Sequence, residues 1–398
     1  MPDGRPRVRR DAWQPVGAGV VASIVGFSST FALVLQGLRA VGADEAQAAS
    51  GLAALCLTMG VAGIFLALRH RMPIAVAWST PGAALLISSG VPPGGYPAAL
   101  GAFAVTGVLI VLAGLWRPLA RWVALIPVSL ASAMLAGVLL PVCLAPVRGA
   151  VELPLEVGPV ILVWALLMRL ARPWAVPGAL AAAGVVIALD PGDAGAAPLA
   201  PELTLTAPAL DAGALISLGL PLFVVTMASQ NIPGAGVLAS FGFRAPLRPA
   251  LVSTGLATAA GAPFGAHAVN LAAITAALMA GPDAHPDPAR RWIASAAGSV
   301  AYLVLGLAAG AAATLVTLAP PLLIEAVAGL ALFGALGAAV ATAMADAERR
   351  EAAVVTFVVS ASSITAAGIS APFWGLVAGL AYLGLQRTRP RRPATARV

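Results

Sequence analysis

Apolar runs long enough to cross a bilayer recur from one end of this chain to the other. A membrane-spanning helix needs about 20 mostly apolar residues. About fourteen stretches meet that need: 16–38, 47–68, 73–90, 94–115, 122–144, 154–170, 174–190, 212–232, 247–262, 263–281, 292–318, 320–343, 352–367 and 370–386. The sixth, ninth and thirteenth are short, which tilt and burial against neighbours can accommodate. Only 10% of the residues are charged, and the mean hydropathy is +0.94. No polar stretch is long enough for a separate soluble domain, so the expected class is an all-α integral membrane protein.

The arginines test this division. With the N-terminus inside, every even-numbered connection should carry positive charge. Those connections hold Arg69 and Arg71, Arg117 and Arg121, Arg169 and Arg172, Arg244 and Arg248, Arg290 and Arg291, and Arg349 and Arg350; the tail adds "QRTRPRRPATAR". The opposite connections hold Asp44, Glu45, Glu152, Glu156, Asp190, Asp193, Glu202 and Asp211. Only Arg39 and Arg148 break the alternation. The pattern predicts an even number of spans with both termini cytoplasmic, and a chain whose basic residues are all arginine, rich in Ala, Gly and Pro, points to a GC-rich bacterial genome and so to a bacterial inner membrane. It also explains the net charge of +7 as topology rather than a nucleic-acid face. Cys56 and Cys143 lie in apolar runs and read as small buried hydrophobes, not a disulfide. The run after "MPDGRPRVRR" is too long for a signal peptide and reads as the first span.

The connection 191–211, "PGDAGAAPLAPELTLTAPALD", divides the chain into residues 1–190 and 212–398, seven spans each. An odd number of spans per half inverts the second relative to the first. The third span, "PIAVAWSTPGAALLISSG", and the tenth, "PFGAHAVNLAAITAALMAG", both begin with proline and a short extended-looking piece. Helix-start signals follow: Thr80 as N-cap with Pro81 at the first helical position, and Asn270 as N-cap before "LAAITAALM". Pro73 to Pro263 and Thr80 to Asn270 are the same interval, 190 residues. Two half-helices starting inside the membrane are expected. Such broken helices in matching halves point to a transporter site, because non-helical backbone at that depth must be buried or line a cavity. Their N-termini would favour a small anion such as a carboxylate, and no confident span carries an arginine for that task.

Polar residues cluster around these breaks. Ser28 lies in "GFSST" of the first span, Trp78, Ser79, Thr80 and Gly82 in the third, Gln230 and Asn231 in the eighth, and His267 and Asn270 in the tenth. Gln230 and Asn231 can donate to a carboxylate or join helices to one another. Ser28 and its neighbours can instead bond their own helix, Trp78 can simply pack, and His267 can be a core histidine bonded to a carbonyl. An ionisable residue at this depth is by default functional, so His267 is the leading proton-coupling candidate. It is expected to stay neutral until a carboxylate arrives. Glu325 is a second candidate, but it follows Pro320 and Pro321 near the outer end, where a solvated rim is the simpler reading.

The segments "AWSTPGAAL", "TMASQNIPG" and "PFGAHAVNLAAITAA" resemble the benzoate:proton symporter family of BenE type, and the likeness extends over nearly the whole chain. The resemblance implies inward transport of benzoate with a proton. More widely, the chain resembles the uracil-transporter fold, which implies an inverted seven-plus-seven repeat. A core of spans 1–4 and 8–11 would slide against a gate of spans 5–7 and 12–14, often in a homodimer. Nucleobase carriers of that fold use acidic residues on the eighth and tenth spans; Gln230, Asn231, His267 and Asn270 stand in those places here, which suits an anionic substrate. Carriage of another anion or of nucleobases is the alternative. An intramembrane enzyme is disfavoured: HExxH, GxSxG and P-loop patterns are absent, and His267 has no Cys or carboxylate close in sequence. No cofactor, metal or nucleic-acid partner is expected.

Overall fold

A computed structural model describes residues 8–116, 118, 125–189, 201–272, 274–366 and 369–387. The start expected for the fifth span, much of the 191–211 connection and the basic C-terminal tail lie outside those residues. The described residues are mainly helical. In the first half, α1 (Val8–Ala40) and α2 (Glu45–His70) precede a short strand, β1 (Val76–Trp78). Then come α3 (Thr80–Ser89), α4 (Gly95–Leu115), α5 (Val128–Glu152), α6 (Pro154–Leu170) and α7 (Ala175–Leu189). The second half opens with α8 (Ala212–Ser240). It continues through α9 (Leu247–Gly261), β2 (Val269–Leu271), α10 (Ile274–Ala280), α11 (Trp292–Leu307), α12 (Ala309–Leu318), α13 (Pro321–Met344) and α14 (Arg350–Ala361). A small hairpin of β3 (Thr365–Ala366) and β4 (Ile369–Ser370) leads into α15 (Ala371–Arg387).

Among the described residues, seven helices are long and apolar enough to cross a membrane, or eight if the pair broken at Ala308, bent by 56°, is one span. Most elements follow the apolar runs; α6 begins and ends where the sequence places its span. Local chemistry accounts for several ends. Asp44 and Gln47 form a reciprocal capping box at the start of α2, satisfying two otherwise unpaired N–H groups. Asp211 caps α8 through the Ala214 N–H at 2.7 Å. The buried Arg291 donates to the carbonyls of Ala280 and His285, so its charge meets oxygen at the turn after α10.

The helices pack as two groups. In one, α11 lies against α1 and α2, and α9 against α4 and α2; β1 and β2 run through this group. In the other, α5 packs on α13, α14 and α15, with α6 against α7. The groups meet along a seam where α1 contacts α13, and α3 and the middle of α8 contact α5. The described part of the connection between the halves is tied to the first group: Thr204 N–H donates to Ser50 Oγ (2.9 Å), Thr206 N–H to the Pro263 carbonyl (2.9 Å) and Ala209 N–H to the Pro97 carbonyl (2.8 Å).

Two expected helix starts are corrected. Ser79, not Thr80, is the N-cap of α3; its hydroxyl accepts from the Gly82 N–H at 3.1 Å, and Thr80 is the first helical residue. Asn270 is not a cap at all but the middle residue of β2. Pro263 lies in a 3-10 turn, Ala262–Phe264, closing α9, so the extended segment starts later than its proline suggests. Gly265 makes that turn possible. Its φ is +97°, and a Cβ there would lie 2.6 Å from the Tyr96 hydroxyl and 2.9 Å from the Gly51 Cα. Alanine meets both an unfavourable backbone and a filled space. Gly265→Ala should therefore destabilise the protein by about 1–3 kcal/mol, read as a lower thermal unfolding midpoint in detergent. Gly236→Ala, with nothing within 4 Å of the new methyl, should not lower it.

Candidate functional site

The breaks in the third and tenth spans meet. β1 and β2 pair antiparallel, with Val76 opposite Leu271, Ala77 opposite Asn270 and Trp78 opposite Val269. The ladder continues through Ser79 N–H to the Ala268 carbonyl and Ala272 N–H to the Ala75 carbonyl, both 2.9 Å. Each segment thereby satisfies the other's backbone where water is absent.

Side chains complete what two short strands cannot. The Asn231 carbonyl oxygen accepts from the Leu271 N–H at 2.9 Å. Thr258 Oγ1 accepts from the Val269 N–H at 2.8 Å. The Asn270 amide, oriented to suit its neighbours, accepts from the Ser79 N–H (2.9 Å) and donates to the Leu271 carbonyl (2.8 Å). Thr226 donates its hydroxyl to Ser79 Oγ at 3.0 Å. His267 is fully buried; its Nε2 lies 3.0 Å from the Ser79 carbonyl. A carbonyl can only accept, so Nε2 carries the proton and Nδ1 is the free position. Nδ1 has no partner, and Phe103 lies edge-on to the ring, with 6.3 Å between centroids.

Beside this crossing, on the seam, is a cavity of about 170 Å³. Thr80 and Pro81 at the start of α3, with Ala272 and Thr275 at the other break, border it. Ser29 and Thr30 of α1, Gln230 of α8 and Tyr302 of α11 add polar groups, and Leu139, Ala331 and Leu332 close it from the second helix group. One wall is aromatic. Trp78 donates its indole N–H to Thr30 Oγ1 at 2.9 Å. Its ring lies 6.1 Å from Tyr302 and 5.8 Å from Phe27, which stacks on Phe31. Among the described residues, no carboxylate and no arginine lines this cavity. It suits a small, partly aromatic molecule needing a few hydrogen-bond donors.

The structure separates the expected site residues into two sets. Trp78, Thr80 and Gln230 line the cavity. The Gln230 side chain makes no hydrogen bond among the described residues and so has donors to spare. It sits in a π-helical turn, Met227–Asn231, a local widening common at functional sites. Ser79, Asn231, His267 and Asn270 are buried behind the wall and hold the crossing together. Gly82 is absent from the lining because there is no room: a Cβ would lie 2.7 Å from Leu222 and 2.8 Å from Ser79 Oγ. Ser28 bonds the carbonyls of Ile24 and Val25 in its own helix. Glu325 is half-buried and borders a different cavity. Sequence reasoning overlooked Tyr302 and Thr275. Tyr302 carried a signal, one of only three tyrosines, set in the middle of an apolar run.

A many-helix membrane body with a central cavity beside two opposed chain breaks is the build of a membrane transporter, not an enzyme. The chain matches the family model BenE, benzoate membrane transport protein, over residues 12–385, and it belongs to that family. It is similar to the inner membrane protein YdcO of Escherichia coli strain K12, with 40% identity over 91% of this chain and 93% of the relative. It is also similar to the benzoate membrane transport protein of Acinetobacter baylyi, 30% identical over 94% of this chain and 95% of that one. Among solved structures, the transmembrane domain of the cyanobacterial bicarbonate transporter BicA aligns with a TM-score of 0.61 at 14% identity, covering 92% of this chain and 98% of its own. The murine anion transporter Slc26a9, inward-facing, aligns at 0.64 and 13%, covering 97% and 70%. At such low identity these two establish the fold alone.

The two sets of polar residues should respond differently to substitution. Asn231→Leu leaves the Leu271 N–H unpaired in an apolar interior and should cost about 1–3 kcal/mol of stability. Gln230→Leu, which breaks no internal hydrogen bond, should leave the unfolding midpoint close to that of the parent.

Proposed function

We propose that this protein is a secondary transporter that imports benzoate, or a similar aromatic carboxylate, together with a proton across a bacterial inner membrane. The observation that carries this reading is the central cavity, apolar and aromatic-walled, with Gln230 and Thr80 as uncommitted donors and no carboxylate in its lining. A ring packs against Trp78 and Tyr302. The carboxylate lies at the cavity edge between Thr80 at the start of α3 and Ala272 and Thr275 at the other break, next to Gln230. The missing carboxylate favours an anion over a nucleobase; another small anion on the same fold is the alternative.

In this reading the chain spans the membrane fourteen times as two inverted halves, with both termini cytoplasmic. The core comprises spans 1–4 and 8–11, the gate spans 5–7 and 12–14, and the two slide along the seam that holds the cavity. Two copies form the working unit. Uptake of labelled benzoate into proteoliposomes, with and without an imposed pH gradient, tests it. Accumulation should require the protein and grow when the side of addition is acidic; no protein-dependent uptake would refute it. Gln230→Ala should weaken benzoate binding by about 1–3 kcal/mol, measured by competition at equilibrium. An unchanged affinity would remove Gln230 from the site.

His267 is the proposed proton-coupling residue, since the crossing contains no other imidazole and no carboxyl group. Its free Nδ1 is the atom that takes the proton, while Nε2–H keeps its bond to the Ser79 carbonyl. The ring stands behind the wall, so protonation acts on the cavity through the start of α3. A carboxylate paired with an imidazolium crosses with little net charge, which lowers the cost of moving the core. His267→Gln should bind and exchange benzoate yet fail to accumulate it under a pH gradient. Accumulation like the parent's would send the proton elsewhere, with Glu325 the next candidate.

A further inference from the structure

A second cavity, about 680 Å³, lies along the same seam, where α1 ends and α13 begins. Arg39 of α1 and Arg148 of α5 line it, together with Glu45, Ile87, Thr317 and Glu325. The helices α5 and α13 contribute to the walls of both cavities. Leu332 of the inner cavity and Glu325 of this one are about 10 Å apart along the α13 axis at the usual helical rise.

Arg39 and Arg148 are the two arginines that break the charge alternation of the connections. Positive charge on that face works against the topology the other arginines favour, so both call for another cause. Neither guanidinium forms an ion pair among the described residues, although two carboxylates share the cavity. Arg39 donates one Nη to the Thr317 hydroxyl at 2.8 Å, and its buried Nε has no partner. Arg148 donates one Nη to the Pro141 carbonyl at 3.1 Å. A guanidinium has five N–H donors, so most of this capacity is unused. The forked geometry of those donors matches a carboxylate.

We propose that the outer cavity is an anion-capture site, in which Arg39 and Arg148 bind the carboxylate of a small organic anion before it moves along the seam. The choice of an aromatic carboxylate as ligand rests on the carrier reading above; the site itself rests on the two guanidiniums and the cavity. Glu45 and Glu325 balance the two arginines in formal charge and Arg148 is exposed, so attraction here acts at short range, through the unused guanidinium N–H donors rather than through a net positive field. Binding there has to stay weak, since a tightly held anion would not pass inward.

Ile87→Cys places a thiol in this cavity, and the native Cys56 and Cys143 are buried. Its rate of modification by an anionic, sulfonate-bearing methanethiosulfonate is compared with that by a cationic, trimethylammonium one in the purified full chain, each normalised to a free thiol. The anionic reagent should be favoured about tenfold, a preference that fades at high salt. Arg39→Gln with Arg148→Gln should abolish the preference, while the paired lysine variants should keep it. Millimolar benzoate should slow the anionic reagent in the parent and not in the glutamine pair. Equal normalised rates in the parent, or a preference that survives both glutamines, would overturn the site. Lack of benzoate protection with the preference intact would overturn the carboxylate assignment. In proteoliposomes the glutamine pair should raise the apparent KM for benzoate several-fold at an unchanged maximal rate, and a wild-type KM would count against capture on the transport path. If the parent takes up no benzoate, the carrier reading fails and the labelling rates still decide the site.

Discussion

Everything in this protein depends on a few backbone hydrogen bonds exchanged between two chain segments that stop being helical inside an apolar body. A peptide group without a partner at that depth costs several kcal/mol. Neither the 75–79 segment nor the 268–272 segment can satisfy itself. Paired antiparallel, each closes the other's ladder. The two N–H groups that remain, on Val269 and Leu271, are taken by Thr258 and Asn231, and Asn270 shares the Ser79 N–H. Several of the buried polar side chains in a chain so poor in them are thus committed to making the two breaks tolerable.

That commitment determines what is left for a ligand. The groups best placed by sequence to meet one, His267 and Asn270, are used from behind, where they fix the ends of the strands. The cavity wall is left to neighbours that turn the other way. Consecutive residues divide the work: Asn231 reaches back to β2 while Gln230 faces the cavity, and Ser79 caps α3 while Thr80 stands at the cavity edge. The π turn around Gln230 and Asn231 is the local device that lets one helix serve both sides. Coupling a proton at His267 to a ligand would therefore pass through one carbonyl and one helix start rather than through direct contact.

Charge follows a comparable economy. Among the described residues the central cavity has neither an arginine nor a carboxylate in its lining, so an anion held there as proposed would meet neutral donors and the start of α3. Formal charge is placed further along the seam, at Arg39 and Arg148 with Glu45 and Glu325, in the wider and more exposed cavity. If the wider cavity captures anions as proposed, attraction is thereby separated from recognition in the central cavity, which needs contact.

Much of the architecture was legible in the sequence because the bilayer imposes a length and a polarity on each helix, and those leave periodic marks. The apolar runs located nearly every helix, α6 to the residue, and the paired prolines located the two breaks. The arginine alternation singled out Arg39 and Arg148 by charge alone, and the fold brings the two into one cavity. Single residues at the breaks were not legible in the same way. Ser79 and Thr80 are both competent caps before a proline, and the choice fell to Ser79 once Thr226 and Gly82 were in reach of its hydroxyl. Asn270 has the chemistry of a cap, but pairing with Ala77 drew it into a strand, a contact between residues nearly two hundred positions apart. Which polar side chains face the cavity, and that Tyr302 is among its walls, was decided only by tertiary packing. A one-dimensional pattern specifies which residues are buried in a membrane, whereas the direction each one points is settled by the partner it finds across the seam.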